Sequence, residues 1–461
     1  MQTTFTLATN KRLGKDTNRQ MPYTFTLGLV PLIFGGCGSG DNSTPDTEVF
    51  VINGSTENDL IGPYDFAIRY NAVAGRDKIT ASPFDDIILL ENSISSVNAL
   101  AGDDTVHTET WGNSINGGAG IDILSVNFSG SFNIVVDFEN HVMYRENLLS
   151  SFNNEIVGME GIDASNSISA ISVISSATTQ TISTGKGNDN VGVGANITSV
   201  NLGDGDDTVT VNSLEADLTG GNGSDTLKII AEYGTGDVTI NLNEETHSLN
   251  GTLNTRKLKA FENIDIAGSG NFTLIGSDND NSLSASIGND QLIGGKGNNI
   301  LTGGAGRDIF VFSSTDNLSD ANIITDFETG TQGDVLRFEN YDGLTSTGLS
   351  FRSVNLSEDV SISLTQNSDI LLISGSNFLN EQNLLSALNG DKGISEQRGA
   401  SLNSIQLCIW YNQTKDGLQI STVKDIPNTN LFADQLNTLI LLDGLTDNDF
   451  GALNAANFQI I

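Results

Sequence analysis

Aspartate recurs in this chain at multiples of nine residues, and that recurrence constrains the backbone more than any other feature. Counting by nines from residue 59 gives Asp59, Ile68, Asp77, Asp86, Ser95, Asp104, Asn113 and Asp122 without a slip. Two residues after these stand Ile61, Tyr70, Ile79, Ile88, Val97, Val106, Ile115 and Leu124, apolar or aromatic every time. A nine-residue unit accommodates one tight turn and one very short strand whose middle side chain points inward. Two units make an 18-residue coil. The predicted fold is therefore all-β: a right-handed parallel β-roll in which like turns stack one strand spacing, about 4.8 Å, apart.

Residues 18 apart then share an edge of the roll. Asp86, Asp104 and Asp122 stack on one edge, and Asp59 stacks with Asp77 on the other, which continues as Ser95 and Asn113. A second segment places Asp189, Asp207 and Asp225 before inward Val191, Val209 and Leu227. Its opposite edge carries Thr198 and Ala216, with Val200 and Leu218 inward. In a third segment Asp290 and Asp308 share one edge, and Asn281 and Asn299 the other, before Leu292, Phe310, Leu283 and Leu301. Aspartate is a good turn former, which explains the period but not the sorting onto edges. Carboxylates stacked about 5 Å apart repel by about 3 kcal/mol per pair at an effective dielectric near 20. A hard cation that takes about six to eight oxygens removes that repulsion, with turn carbonyls completing its shell.

The spacing predicts inter-turn metal sites at Asp59/Asp77, Asp86/Asp104, Asp104/Asp122, Asp189/Asp207, Asp207/Asp225 and Asp290/Asp308. It predicts none at Asn281/Asn299, whose amides can ladder without metal. The turn glycines permit positive φ and offer backbone carbonyls. They are Gly117, Gly118 and Gly120; Gly185 and Gly187; Gly203 and Gly205; Gly220, Gly221 and Gly223; Gly288; and Gly303, Gly304 and Gly306.

Gly294-Gly295-Lys296-Gly297-Asn298-Asn299-Ile300-Leu301-Thr302 and Gly303-Gly304-Ala305-Gly306-Arg307-Asp308-Ile309-Phe310-Val311 both read G-G-x-G-x-D/N-x-U-x, U being large and apolar. This motif resembles the calcium-binding nonapeptide of RTX, or hemolysin-type, proteins. The resemblance covers residues 54–338 and implies a roll that holds Ca2+, about six ions on the spacing above. A longer period of 102 to 103 residues links Gly102-Asp103-Asp104-Thr105-Val106 to Gly205-Asp206-Asp207-Thr208-Val209, and Met159-Glu160-Gly161-Ile162 to Phe261-Glu262-Asn263-Ile264.

The expected organisation is a roll over 54–311 with calcium-bearing runs at 54–125, 166–228 and 267–311. Strand segments at 126–165 and 229–266 interrupt it, with His141 and His247 placed on exposed hairpins. Residues 312–461 read as a β-rich capping domain: Ile323-Ile324-Thr325-Asp326-Phe327 and Gly333-Asp334-Val335-Leu336 resemble the closing segment of RTX rolls. Hairpins are expected from Val360 to Leu372 and at Asp416-Gly417, and one helix from about Phe378 to Leu388.

Residues 1–36 read as an export signal, with basic Lys11, Arg12, Lys15 and Arg19 before an apolar run from Met21 to Gly36. With Cys37 and the polar tether 37–53 this resembles a bacterial lipoprotein signal, which implies a lipid on Cys37; Phe34 departs from the aliphatic residue usual there. The stretch from Leu439 to Ile461 resembles the C-termini of RTX proteins exported by type I secretion, so the two ends offer different routes.

A net charge of −36 repels phosphates and argues against nucleic acid and anionic membranes, leaving a lipid at Cys37 as the expected membrane contact. Two cysteines give no disulfide framework. No G-x-S-x-G, P-loop or H-E-x-x-H occurs, and Asp369, Asp416, Asp434 and Asp443 read as turn formers, so no catalytic residue is assigned. The expected protein is extracellular or at the bacterial cell surface, with a structural, adhesive or binding role and cell-surface partners. The alternative is a module that binds or modifies an acidic polysaccharide, similar to the calcium-roll modules of alginate epimerases.

Overall fold

A strand of three or four residues has too few ladder bonds to persist alone, so each apolar triplet must pair with the coils above and below. The computed structural model of the chain describes residues 49–147, 153–230, 232–313, 322–340, 350–355, 369–380, 382–384, 406–424 and 435–460. Ten strands form the first sheet, from Phe50–Asn53 through Ile87–Leu90 and Ile123–Val126 to Leu258–Lys259. Within a run the parallel register is one coil: Tyr70 pairs with Ile88, Ile88 with Val106 and Val106 with Leu124. The second sheet carries the other half of each coil, with Val191 on Val209 and Val209 on Leu227. An eight-stranded third sheet opens at Glu232–Asn241 and stacks Leu292 on Phe310. The chain is the all-β parallel roll that the period predicts.

The inward positions form the core. Tyr70, Ile88, Val106, Leu124, Val191, Val209, Leu227, Leu283, Leu292, Leu301 and Phe310 are all 0% exposed. Ile61, in the first coil, is half-buried because only one neighbouring coil covers it among the described residues.

The segments between runs are spliced into the sheets. Ile134–Asp137 and Val142–Arg145 form an antiparallel hairpin, and the first of them also pairs in parallel with Ile171–Ile174. The chain then returns through Asn154–Val157, stacked on Ser114–Ala119, and Gly161–Asp163, stacked on Ile123–Val126. The second segment repeats the device with a hairpin of Glu232–Asn241 and Thr246–Leu249. His141 sits exposed in its hairpin turn, as expected. His247 does not. It is 4% exposed, because its imidazole packs under the hairpin with Nε2 3.0 Å from the Leu214 carbonyl.

The C-terminal region covers the last coil. Gln435–Asp443 pairs in parallel with Asn322–Ile324, and Phe458–Ile460 with Val335–Glu339. The hairpin at Asp416-Gly417 joins Gln406–Asn412 to Gly417–Lys424. The expected helix needs correction: Phe378 ends the strand Asp369–Phe378, and the helical residues described are 382–384. Asn380 sets that start, since its side chain accepts the Asn383 N–H. Leu385, Leu388 and the expected hairpin strand at Val360, Ile362 and Leu364 lie outside the described residues, as do residues 1–48 with Cys37.

Candidate metal centre

Each aspartate of the nine-residue frame stands where a turn meets the next strand, two residues before an inward apolar side chain, buried in every case but the half-buried Ile61 of the first coil. Beyond Asp59, whose carboxylate stays with Ser55 of its own turn, each carboxylate reaches back one coil. Asp77 Oδ1 accepts the Asp59 N–H at 2.9 Å, Asp104 that of Asp86 at 2.7 Å and Asp122 that of Asp104 at 2.9 Å. Asp207 holds Asp189 at 2.7 Å, Asp225 holds Asp207 at 3.0 Å and Asp308 holds Asp290 at 2.8 Å. All six pairs expected from spacing are thus in direct contact. An exposed ladder runs the other way: Asp85 accepts from the Asp103 N–H and Asp206 from the Ser224 N–H.

The second carboxylate oxygen separates the columns. Oδ2 of Asp77, Asp104, Asp122, Asp207, Asp225, Asp290 and Asp308 is buried and has no hydrogen-bond partner. A buried anion left this way is costly unless a cation or donor meets it. At the first member of each expected column in the first two runs a donor does: Ser55 N–H on Asp59, Ser82 N–H on Asp86, both at 2.7 Å, and Gly185 N–H on Asp189 at 3.1 Å. Burial pushes Asp104 up to about 8 and Asp225 and Asp308 up to about 7, and neighbouring carboxylates add to the rise.

Columns of neutral residues have no such deficit. Asn299 Oδ1 accepts the Asn281 N–H at 2.9 Å, while Asn299 Nδ2 donates to Asn322 Oδ1 at 2.9 Å. Below Asp77 the column runs through Ser95 and Asn113 to Asn154, each accepting the N–H one coil back. Asn281 and Asn299 meet through the Asn281 backbone N–H rather than through the side-chain amide ladder expected there, because the Asn281 amide donates to the Glu262 carbonyl instead.

No three His, Cys, Asp or Glu side chains converge as a metal cluster among the described residues. The remaining oxygens for a cation must come from the backbone. Glycine is needed there because coils approach closely: a side chain on Gly120 would run into the Gly102 carbonyl, on Gly223 into that of Gly205 and on Gly306 into that of Gly288. Gly118, Gly203, Gly221 and Gly304 have positive φ and likewise face carbonyls of the preceding coil. Gly117, Gly220 and Gly303 lie instead against the carboxylate of their own turn. This chemistry, paired carboxylates with carbonyls between coils, suits a hard divalent cation.

Three acidic residues continue the columns where the period breaks, outside the nine-residue count. Glu160 Oε2 accepts the Asp122 N–H at 3.0 Å, Glu262 Oε2 that of Asp225 at 2.9 Å, and Asp334 Oδ1 that of Asp308 at 2.9 Å. Each stands two residues before a buried apolar side chain, Ile162, Ile264 and Leu336. That relation was visible in sequence; the nine-residue count was not.

Residues 275–310 match the RTX calcium-binding nonapeptide repeat, in four copies. The RTX match falls on the third run, where Asp290, Asp308, Asn281 and Asn299 lie. No curated protein matches the chain. Among solved structures, the extracellular lipase LipA from Serratia marcescens is 12% identical, with 86% of this chain and 42% of that chain covered and a TM-score of 0.16. The chain thus spans less than half of that structure, and the TM-score supports no argument from it.

Proposed function

We propose that this chain is an exported β-roll that folds on calcium and acts outside the cell as a structural, adhesive or binding scaffold. The observation that carries the reading is the register of buried carboxylate oxygens without partners, confined to acidic columns. Calcium supplies the positive charge those columns need. The aspartates hold it from the strand ends, and the glycine turns bring carbonyls of adjacent coils to it. Where free calcium is scarce the stacked carboxylates oppose folding; millimolar calcium drives folding by mass action. Circular dichroism of the purified chain should gain β signal as calcium is added and lose it with chelator. A spectrum indifferent to calcium would exclude the reading.

Export and a lipid tether at Cys37 belong to the same proposal. Cys37→Ser should move the protein from the membrane fraction to the medium; retention in that fraction would overturn the tether at Cys37.

The role is non-catalytic. On the outer face of the first sheet His107 Nδ1 lies 3.0 Å from Ser125 Oγ, and Nε2 lies 3.5 Å from Glu109 Oε1. Serine hydrolases use that order of groups, but they also aim free N–H donors at the oxyanion. Here Thr105–Thr108 and Ile123–Val126 are each paired on both sides, so their amides are committed to the ladders. A glycan array with and without calcium tests binding of an acidic polysaccharide.

A further inference from the structure

We infer that Glu160 and Glu262 close the metal columns that begin at Asp86 and at Asp189, each holding a calcium ion together with the aspartate one coil before it. This rests on the calcium reading and adds two sites that lie outside the nonapeptides.

The two glutamates arrive after inserts, 38 residues beyond Asp122 and 37 beyond Asp225, yet they dock in the same way. Both are half-buried, and neither has a Lys or Arg within ion-pair distance among the described residues. The aspartates they meet, Asp122 and Asp225, are 0% exposed, and their Oδ2 atoms have no partner.

The backbone just before each glutamate is turned for the purpose. Gly158 has φ +59° and Ala260 has φ +52°, the second at a conformational cost because it carries a Cβ. The result is an oxygen on the correct side of the gap. A Cβ on Gly117 would meet the Gly158 carbonyl and Asp122 Oδ2, and one on Gly220 the Ala260 carbonyl and Asp225 Oδ2, so a carbonyl and a partnerless carboxylate oxygen converge at each glycine. The glutamate that holds the N–H of the same aspartate brings a further carboxylate to each junction.

A hydrogen bond to the Asp122 or Asp225 N–H does not require a charge. Asn154 performs the same task for Asn113, and Asn299 for Asn281, with neutral amides. A second carboxylate beside a buried one adds repulsion, and only a cation turns that arrangement into a gain. Beyond the glutamates each column becomes neutral: the Gln180 N–H donates to the Glu160 carbonyl, and Asn281 Nδ2 donates to that of Glu262. Glu160 and Glu262 are thus the last acids of their columns.

The test counts calcium bound per full-length chain by equilibrium dialysis. Glu160→Gln and Glu262→Gln keep an oxygen for the N–H they accept, so the coil junction is retained. Each should bind one ion fewer than the parent, and the double variant two fewer. Glu155→Gln alters an exposed acid of the same insert that bonds the Ser114 hydroxyl, and it should lose none. An unchanged count in both glutamine variants, alongside fewer ions in Asp207→Asn, overturns this inference and leaves the calcium reading standing. A parent chain that binds no calcium overturns both. Terbium-soaked crystals of the parent chain give a readout independent of any variant: anomalous peaks between Asp122 and Glu160 and between Asp225 and Glu262 are expected, and their absence overturns the proposal.

Discussion

Asp86 and Asp104 are consecutive members of one column, and the second residue of each turn separates them. At Asp86 that residue is Ser82, whose N–H and hydroxyl satisfy Oδ2. At Asp104 it is Leu100, held at φ +83°, and Oδ2 has no partner. The same holds at Asp122, Asp207, Asp225 and Asp308, where the second residue is Gly118, Gly203, Gly221 or Gly304, all at positive φ. A left-handed second residue accompanies the partnerless oxygen at these five positions, while Asp77 and Asp290 reach the same state behind Val73 and Ser286, whose φ is not positive. Asp207 touches both Asp189 and Asp225, so it belongs to two expected sites, whereas Asp59 belongs to one. Asp207→Ala should therefore lose two ions, Asp59→Ala one and Asn299→Ala none, with the unfolding midpoint in calcium falling furthest for Asp207→Ala. Equal ion losses from all three would show that the frame is misassigned.

The turns are the elements that set the spacing between coils. At Gly221, φ is +131° and an added Cβ would overlap the Gly203 carbonyl. Leu100 shows that positive φ alone is tolerated in this frame, so the carbonyl is the obstacle at Gly221. Gly221→Ala should cost about 1–3 kcal/mol in saturating calcium, through strain and a forced separation of coils. Gly192 lies mid-strand, and its nearest atom to an added Cβ is the Val173 carbonyl at 3.7 Å. Gly192→Ala should be neutral or stabilising by up to about 1 kcal/mol. Denaturant unfolding of the two variants checks this; a similar loss in both would mean that glycine matters here only for strand propensity.

These same elements show what could be read in advance. The inward apolar residues and the six aspartate pairs follow from a fixed count, because identical coils impose identical spacing. Glu160, Glu262 and Asn154 escaped that count because the inserts change the spacing to 38, 37 and 41 residues. What survives an insert is the two-residue step from a turn acceptor to a buried apolar side chain, since strand geometry alone sets it. His247 was misplaced for a related reason. Alternation marks its hairpin as β, but only the packing against Leu214 shows which face is covered.

At the scale of the whole molecule, each coil contacts its neighbours and little else, so stability should be close to a sum of local terms. The ends of such a stack matter most where they are covered. Phe458 pairs with Leu336 and is 5% exposed, closing the third sheet over the coil of Asp334, which in turn stacks on the coil of Asp308. Phe458→Ala removes a large buried side chain and should cost about 3–5 kcal/mol at that end. In a globule with one shared core the loss would spread through the fold. In this roll it should stay within reach of the cap: native-state hydrogen exchange should accelerate in Val335–Glu339 and Ile309–Ser313, fade by Gln291–Ile293 and leave Ile87–Leu90 and Thr105–Thr108 unchanged. A uniform acceleration across all three sheets would mean that the runs fold as one cooperative unit and that the inserts couple them rather than separate them.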